Sequence, residues 1–214
     1  MGTVVNLHRP GAAPAGDPSD SREAALVARA RDGDVAAWSR LYHEHFDRIF
    51  KYVSYLTGDV GAAEDLVQET FARAFVGLAT FEARASFVGW LRGIALNIVR
   101  KHWRSRQRQG VALDRLELMS RDRVAAGAAD PEGAHLRQQR ARVLLAVLET
   151  LPESLREVFV LVDMQDMSTE EAAATLGLSP GNLRVRATRA RAKIRAELTR
   201  LGWLAGDERK EDPA

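Results

Sequence analysis

The stretch STEEAAATLGLSPGNLRVRATRARAKIRAEL, residues 168–198, decides how this chain is read. Ser168 followed three positions later by Glu171 is a capping box, so a helix opens there. Gly177 closes it, because glycine takes the left-handed conformation that ends helices. Ser179 then offers a second N-cap, and Pro180 sits at the first helical position, where its missing N–H costs nothing. Ala172 and Ala173 are small enough for two helices to cross closely. The stretch therefore spells two helices joined by the turn Gly177-Leu178-Ser179, the helix-turn-helix pattern whose second helix enters the DNA major groove.

The second helix concentrates charge of one sign. Arg184, Arg186, Arg189, Arg191, Lys193 and Arg195 precede the first acid, Glu197. At 3.6 residues per turn, Leu183, Ala187, Ala190, Ile194, Leu198 and Leu201 share the side that packs on the domain. Val185, Thr188, Ala192 and Ala196 form a ridge of small residues opposite. Arg184, Arg191 and Arg195 border the ridge on one side, Arg186, Arg189 and Lys193 on the other. A narrow ridge between two cationic rows suits a groove about 12 Å wide between two phosphate strands. A merely solvated face would mix Glu with Lys and Arg to gain i,i+4 pairs, which one-sign charge forfeits.

A second basic helix lies far upstream. Residues 92–108 carry Arg92, Arg100, Lys101, Arg104, Arg106 and Arg108 with no acid, although the 214-residue chain has a net charge of only +2. Two separated basic helices in a near-neutral chain predict two footprints on a polyanion. Hydrophobic residues make up 46%, enough for a core. No apolar run approaches the ~20 residues of a membrane span, and the N-terminus is not a secretory signal, so a reducing cytoplasm is expected. There is no cysteine, which excludes disulfides and thiolate metal sites. The five histidines read as surface residues, and His43 and His45, two apart, point to different helix faces. No nucleophile–base set, phosphate-cradling glycine loop or metal cluster is visible, so neither an enzyme nor a cofactor is expected.

Periodicity divides the chain into an all-α protein of two small helical domains on a flexible linker. Residues 1–21 and 205–214 are tails. Residues 22–108 hold four helices: one ending at Gly33; one placing Trp38, Leu41, Tyr42, Phe46, Ile49, Phe50, Val53 and Leu56 at helical spacing and closing at Gly58; a third, GAAEDLVQETFARAFVGL; and a fourth with Ser86 as N-cap. Residues 109–136, rich in Gly, Ala and Asp-Pro with acids outnumbering bases, read as a linker with room for one short helical piece. Residues 137–204 are helical again.

Four blocks in this order, AEDLVQETFARAF (63–75), FVGWLRGIALNIVRKHWRSRQR (87–108), LPESLREVFVLVDMQDMSTEEAAATLGLS (151–179) and RATRARAKIR (186–195), resemble a bacterial sigma factor of the extracytoplasmic-function group. The resemblance covers residues 22–107 and 137–202. It implies a first domain that binds the RNA polymerase clamp and melts the −10 promoter element, and a second that binds the −35 element near the flap. It also implies promoter DNA and core polymerase as partners, a cognate anti-sigma factor that could hold the protein at the inner membrane face, and no membrane insertion of its own.

The blocks assign residues to these roles. Asp65, Gln68, Glu69 and Ala72 share one polar stripe, suited to a basic partner helix and, by resemblance, to the clamp. The loop Phe81, Glu82, Ala83, Arg84, Ala85 and Ser86 would supply a pocket for a flipped −10 base, with Trp90 beside it, and Asn97, Arg100, Lys101 and Arg104 would hold the same element. Asn182, Arg184, Val185, Arg186, Thr188, Arg189, Arg191, Lys193 and Arg195 would meet the −35 element. The family's recognition helix often reads GTVKSRLxRAR; here Asn182, Arg184 and Val185 replace Thr, Lys and Ser, and Leu96 stands where an Arg is usual. The rival of another class, a self-sufficient helix-turn-helix repressor, would bind a palindromic site without polymerase.

Overall fold

The computed structural model describes residues 18–83, 86–109 and 131–204. Eight α-helices make up this part, with no strand among the described residues. Helices α1 (Pro18–Arg31), α2 (Val35–Thr57), α3 (Val60–Gly77) and α4 (Phe87–Gln109) build the first domain. Helices α5 (Pro131–Glu149), α6 (Glu153–Phe159), α7 (Thr169–Leu176) and α8 (Pro180–Arg200) build the second, with α6 continued by a π-turn over Val160–Met164.

Local chemistry sets the ends of these helices. Ala37 N donates to the Asp34 carboxylate at 3.0 Å, which starts α2. Gly58, at φ 72°, ends it. A single turn then reverses the chain: Asp59 N donates to Thr57 Oγ1 at 3.2 Å, and the Asp59 carboxylate caps α3 by accepting from Gly61 N and Ala62 N. In the second domain the capping box at Ser168 and Glu171, the left-handed Gly177 and the Ser179 cap are all formed. Ser86 caps α4 through Gly89 N at 3.2 Å.

Buried side chains at i, i+3, i+4 and i+7 spacing form the core. Leu41, Ile49, Tyr52, Val53 and Leu56 of α2 meet Val67 and Phe71 of α3 and Leu91, Ala95 and Val99 of α4. Ala172 and Ala173 are buried at the crossing of α7 and α8, as their size predicts.

Three expectations are corrected. Helix α5 begins at Pro131, inside the stretch 109–136 read as a linker with room for one short helical piece, and residues 110–130 of that stretch lie outside the described residues. His45 is not a surface histidine: it is buried, with Nε2 2.9 Å from Glu23 Oε2 and its ring against Phe87. That contact holds the Glu23 carboxyl below its ordinary value, through the His45 hydrogen bond first. Leu201 is exposed rather than packed, since α8 ends at Arg200.

The two domains also pack against one another. Val158, Val160, Leu161 and Leu183 of the second domain belong to the same buried cluster as α2 and α4 of the first. Arg156, 6% exposed, spans the junction. Its Nη1 donates to the carbonyls of Leu56 at 2.8 Å and Thr57 at 3.3 Å, and its Nη2 to those of Glu149 at 2.7 Å and Leu151 at 3.1 Å. The guanidinium also lies 5.8 Å from the Trp103 ring centroid. Charged residues read as surface in a sequence; here a fork of donors satisfies the carbonyls left at the ends of α2 and α5.

Candidate nucleic-acid interface

On α8 the expected geometry is present. Leu183, Ala187, Ala190 and Ile194 are buried, while Val185, Thr188, Ala192 and Ala196 are exposed. Val185, 49% exposed, is a β-branched side chain standing in solvent at the head of the helix. Arg184, Arg189, Arg191, Lys193 and Arg195 are exposed, and Arg186 is half-buried with Nε on Asn182 Oδ1 at 3.2 Å. Two arginines meet acids: Arg184 lies 3.6 Å from Glu170, and Arg191 donates to Asp163 of the π-turn at 2.7 Å. A water-exposed pair like Arg184–Glu170 contributes ~0–1 kcal/mol, so a phosphate can displace it readily.

Around the start of α4 the residues separate by burial. Phe81 is 6% exposed and packs on Phe87 and Trp90, with Arg31 over its ring, so it supports the loop rather than presenting a face to a base. Glu82, Ala83 and Ser86 are exposed, and Ala83 adopts φ 53°. Arg84 and Ala85 lie outside the described residues. A cavity of about 290 Å³ opens beside this loop, lined by Arg73, Gly77, Thr80, Trp90, Ile94 and Asn97. It brings together Trp90 and Asn97, which the sequence singled out, with Arg73, Thr80 and Ile94, which it did not. Arg73 comes from the end of α3 and Thr80 from the 3-10 turn over Leu78–Thr80, and no periodicity signals that they converge with Ile94 of α4.

Further along α4, Lys101 and Arg104 are exposed, and Leu96, 1% exposed, is core where the family's usual Arg would be. Arg100 behaves differently. It makes a two-pronged bond to Glu157 of α6, Nε to Oε1 at 2.6 Å and Nη2 to Oε2 at 2.7 Å. The Glu157 hydrogen bonds hold its guanidinium more firmly protonated than usual. Arg92 donates to Gln165 of the second domain at 2.6 Å, and burial lowers its proton affinity.

On α3 the stripe is present: Asp65, Gln68 and Ala72 are exposed, and Glu69, half-buried, pairs with Arg73. Phe75 and Val76, one turn on, are 49% and 84% exposed and continue the same face as apolar surface. The stripe read from the sequence includes neither Phe75 nor Val76. Among the described residues no group of three His, Asp or Glu is placed to hold a metal ion, and no helix is long and apolar enough to cross a membrane.

Known proteins match the two domains in order. The profile of Sigma-70 region 2 matches residues 41–109, and that of Sigma-70, region 4 matches residues 141–194. The chain is 35% identical over 189 residues to the ECF RNA polymerase sigma factor SigE of Mycolicibacterium smegmatis, covering 86% of this chain and 71% of that protein. Among solved structures, CnrH in complex with the cytosolic domain of CnrY aligns with a TM-score of 0.58 and 30% identity, over 82% of this chain and 96% of that one. The sigma factor RpoE bound to the anti-sigma factor NepR from Bartonella quintana shares the fold, with a TM-score of 0.58, 24% identity, and coverage of 77% and 98%. With both conserved regions matched and a relative at this identity covered over most of its length, the chain belongs to the extracytoplasmic-function RNA polymerase sigma factors of the sigma-70 family, which direct transcription initiation.

Proposed function

We propose that this protein is the promoter-reading subunit of a cytoplasmic RNA polymerase, with each face assigned as follows. The α3 stripe of Asp65, Gln68, Glu69 and Ala72 docks on the clamp, and the exposed Phe75 and Val76 add apolar contact to the same surface. Trp90, Asn97 and the loop Glu82–Ser86 receive a −10 base displaced from the duplex, at a cost of a few kcal/mol offset by stacking and hydrogen bonds in the pocket. Arg100, Lys101 and Arg104 hold the backbone of the same element. Val185, Thr188, Arg184 and Arg189 read the −35 element, and Arg191, Lys193 and Arg195 anchor to its phosphates. The polymerase performs the chemistry. An anti-sigma factor is the natural inhibitor, by analogy with the sigma factor RpoE seen bound to NepR.

The single observation that carries this reading is the pairing of two basic helices of distinct design, α4 beside a cavity bearing Trp90 and Asn97, and α8 with its exposed small-residue ridge. The test is transcription from a promoter library by purified core polymerase with and without this protein. Specific transcripts that appear only with the protein, from starts sharing −35 and −10 sequences, are the expected result. Binding to a palindromic site in the absence of polymerase, with no new transcripts, would overturn it.

A further inference from the structure

The head of α8 carries more information than its charge. Val185 and Thr188 stand three residues apart on the exposed ridge, a spacing that sets their Cβ atoms about 5–6 Å from one another. At about 3.4 Å per step, that span covers two neighbouring base pairs of B-DNA. Val185, 49% exposed, is apolar and makes no hydrogen bond through its side chain. Thr188 is polar in the sequence and less so in the fold. Its Oγ1 donates to the Arg184 carbonyl at 3.0 Å, so its one hydroxyl proton is committed to the helix. What Thr188 has left for a base is a methyl group and oxygen lone pairs.

The flanking side chains complete the pattern. The Asn182 carboxamide oxygen accepts from Arg186 Nε at 3.2 Å, which turns the remaining capacity of Asn182 toward donation through its amide N–H groups. Arg184 and Arg189 only donate. No carboxylate lies on α8 before Glu197. The head of the helix therefore offers donors at its borders and methyl groups between them. In the major groove the C5-methyl of thymine is the base feature that fits an apolar ridge, and guanine O6 and N7 are the acceptors that fit arginine beside it.

We infer that Val185 and Thr188 are specificity-determining residues that pack on the C5-methyl groups of two thymines in neighbouring base pairs of the −35 element. The inference rests on the placement of α8 in the −35 major groove and names the bases that its ridge selects. The apolar stems of Arg184 and Arg189 border the contact and keep water from it.

Deoxyuridine tests this without touching the protein, since it pairs as thymine does and lacks only the methyl. Holoenzyme assembled from the full-length chain and core polymerase is titrated with duplexes bearing the −35 sequence that the promoter library returns, each thymine there replaced singly by deoxyuridine. Two replacements should each weaken binding about fourfold, the factor that corresponds to roughly one buried methyl. Val185→Ser should erase the effect at one of these positions, and Thr188→Ser at the other. Thr188→Val, which keeps a methyl there and discards the hydroxyl, should retain the sensitivity to deoxyuridine. All three variants change exposed side chains. A −35 sequence without thymine, or one in which no replacement alters affinity, would overturn the inference. So would deoxyuridine effects that survive in both serine variants, because they would arise from altered DNA flexibility and not from contact. Loss of sensitivity in Thr188→Val as well as in Thr188→Ser overturns the methyl contact at that position and assigns the hydroxyl in its place. Failure of the underlying placement of α8 looks different: holoenzyme affinity would then be indifferent to scrambling the whole −35 sequence.

Discussion

Helices α4 and α8 carry similar runs of positive charge and hold them in opposite ways. On α8 the cations stand in water: Arg184 and Arg191 have side chains 66% and 51% exposed, although Asp163, which meets Arg191, is itself mostly covered while Glu170 beside Arg184 is exposed. On α4 the upper cations are half-buried against the second domain, where Glu157 and Gln165 answer Arg100 and Arg92. A solvated cation can exchange water and a loose ion pair for a phosphate at little cost. A partly desolvated one needs a replacement anion in place before it lets go, because an unpaired charge there is costly. A run of arginine thus marks where a polyanion can bind, and burial marks where the chain has supplied its own substitute.

The largest test of this contrast is Arg156. Replacing it with Met keeps most of the apolar stem and removes every donor. Four carbonyls, on Leu56, Thr57, Glu149 and Leu151, lose their partner. At about 1–3 kcal/mol for each buried group left unsatisfied, and with water relieving some of them, a loss of at least about 3 kcal/mol in urea unfolding is expected. Arg195→Ala on α8 should stay within about 0.5 kcal/mol of the parent. Equal effects would erase the distinction between the two helices.

Within α8 the head and the tail should fail differently. Arg184→Ala or Arg189→Ala should cost about 1–3 kcal/mol on the preferred −35 sequence and relax preference at one position, if the guanidinium meets a base in bidentate fashion. Lys193→Ala or Arg195→Ala should weaken holoenzyme binding evenly across sequences and lower the salt slope by roughly one unit per lost phosphate contact. Matching sequence profiles and salt slopes for Arg184→Ala and Arg195→Ala would make α8 a basic surface and nothing more.

The α3 face offers a smaller effect with no DNA involved. Asp65→Lys reverses an exposed charge. It should weaken core polymerase binding about tenfold, roughly 1.4 kcal/mol, in a titration. Val76→Asp, at a position 84% exposed, should do the same without loss of stability. Unchanged core affinity for both variants would place the polymerase contact elsewhere.

Most of this architecture is legible in the sequence because it is local. Caps at Ser168, Ser179 and Ser86 and the stops at Gly58 and Gly177 depend on residues a few positions apart, and each is formed as read. The α8 ridge follows from helical period alone. The cavity beside Trp90 does not, since Arg73 and Thr80 reach it from a different helix and a turn. Nor does the junction, whose partners Arg156 and Leu56 are 100 residues apart. Phe81 illustrates the same limit from the other side: an aromatic in a polar loop suggests base stacking, but its ring is taken by Phe87 and Trp90.

The smallest expected effect separates the helices by pH. Helix α8 has no histidine, whereas α4 carries His102, half-buried, with Nε2 buried and without a hydrogen-bond partner among the described residues. Burial first, and the charge of Arg106 second, hold its proton affinity below the usual value of 6.5, with Asp59 pulling weakly the other way. The neutral ring is therefore the folded form. Above pH 6.5 both folded and unfolded chains carry neutral His102, and it contributes no pH dependence. As pH falls below 6.5 the unfolded chain takes up a proton that the folded chain refuses, so stability declines until the depressed folded value is passed, and then levels off. Glu23 works in a lower window. Its carboxyl is held below 4.5 by His45, so its contribution is present above 4.5 and is lost only as pH falls through the depressed value. Thermal unfolding of the parent and of His102→Gln, followed from neutral pH down to about pH 5, isolates the histidine from the carboxylate. The two curves should run parallel above the usual histidine range and converge or cross below it, as the parent alone declines. Curves that stay parallel throughout would mean that the ring is protonated as easily in the fold as in the unfolded chain. The face of α4 around His102 would then be as open to water as α8.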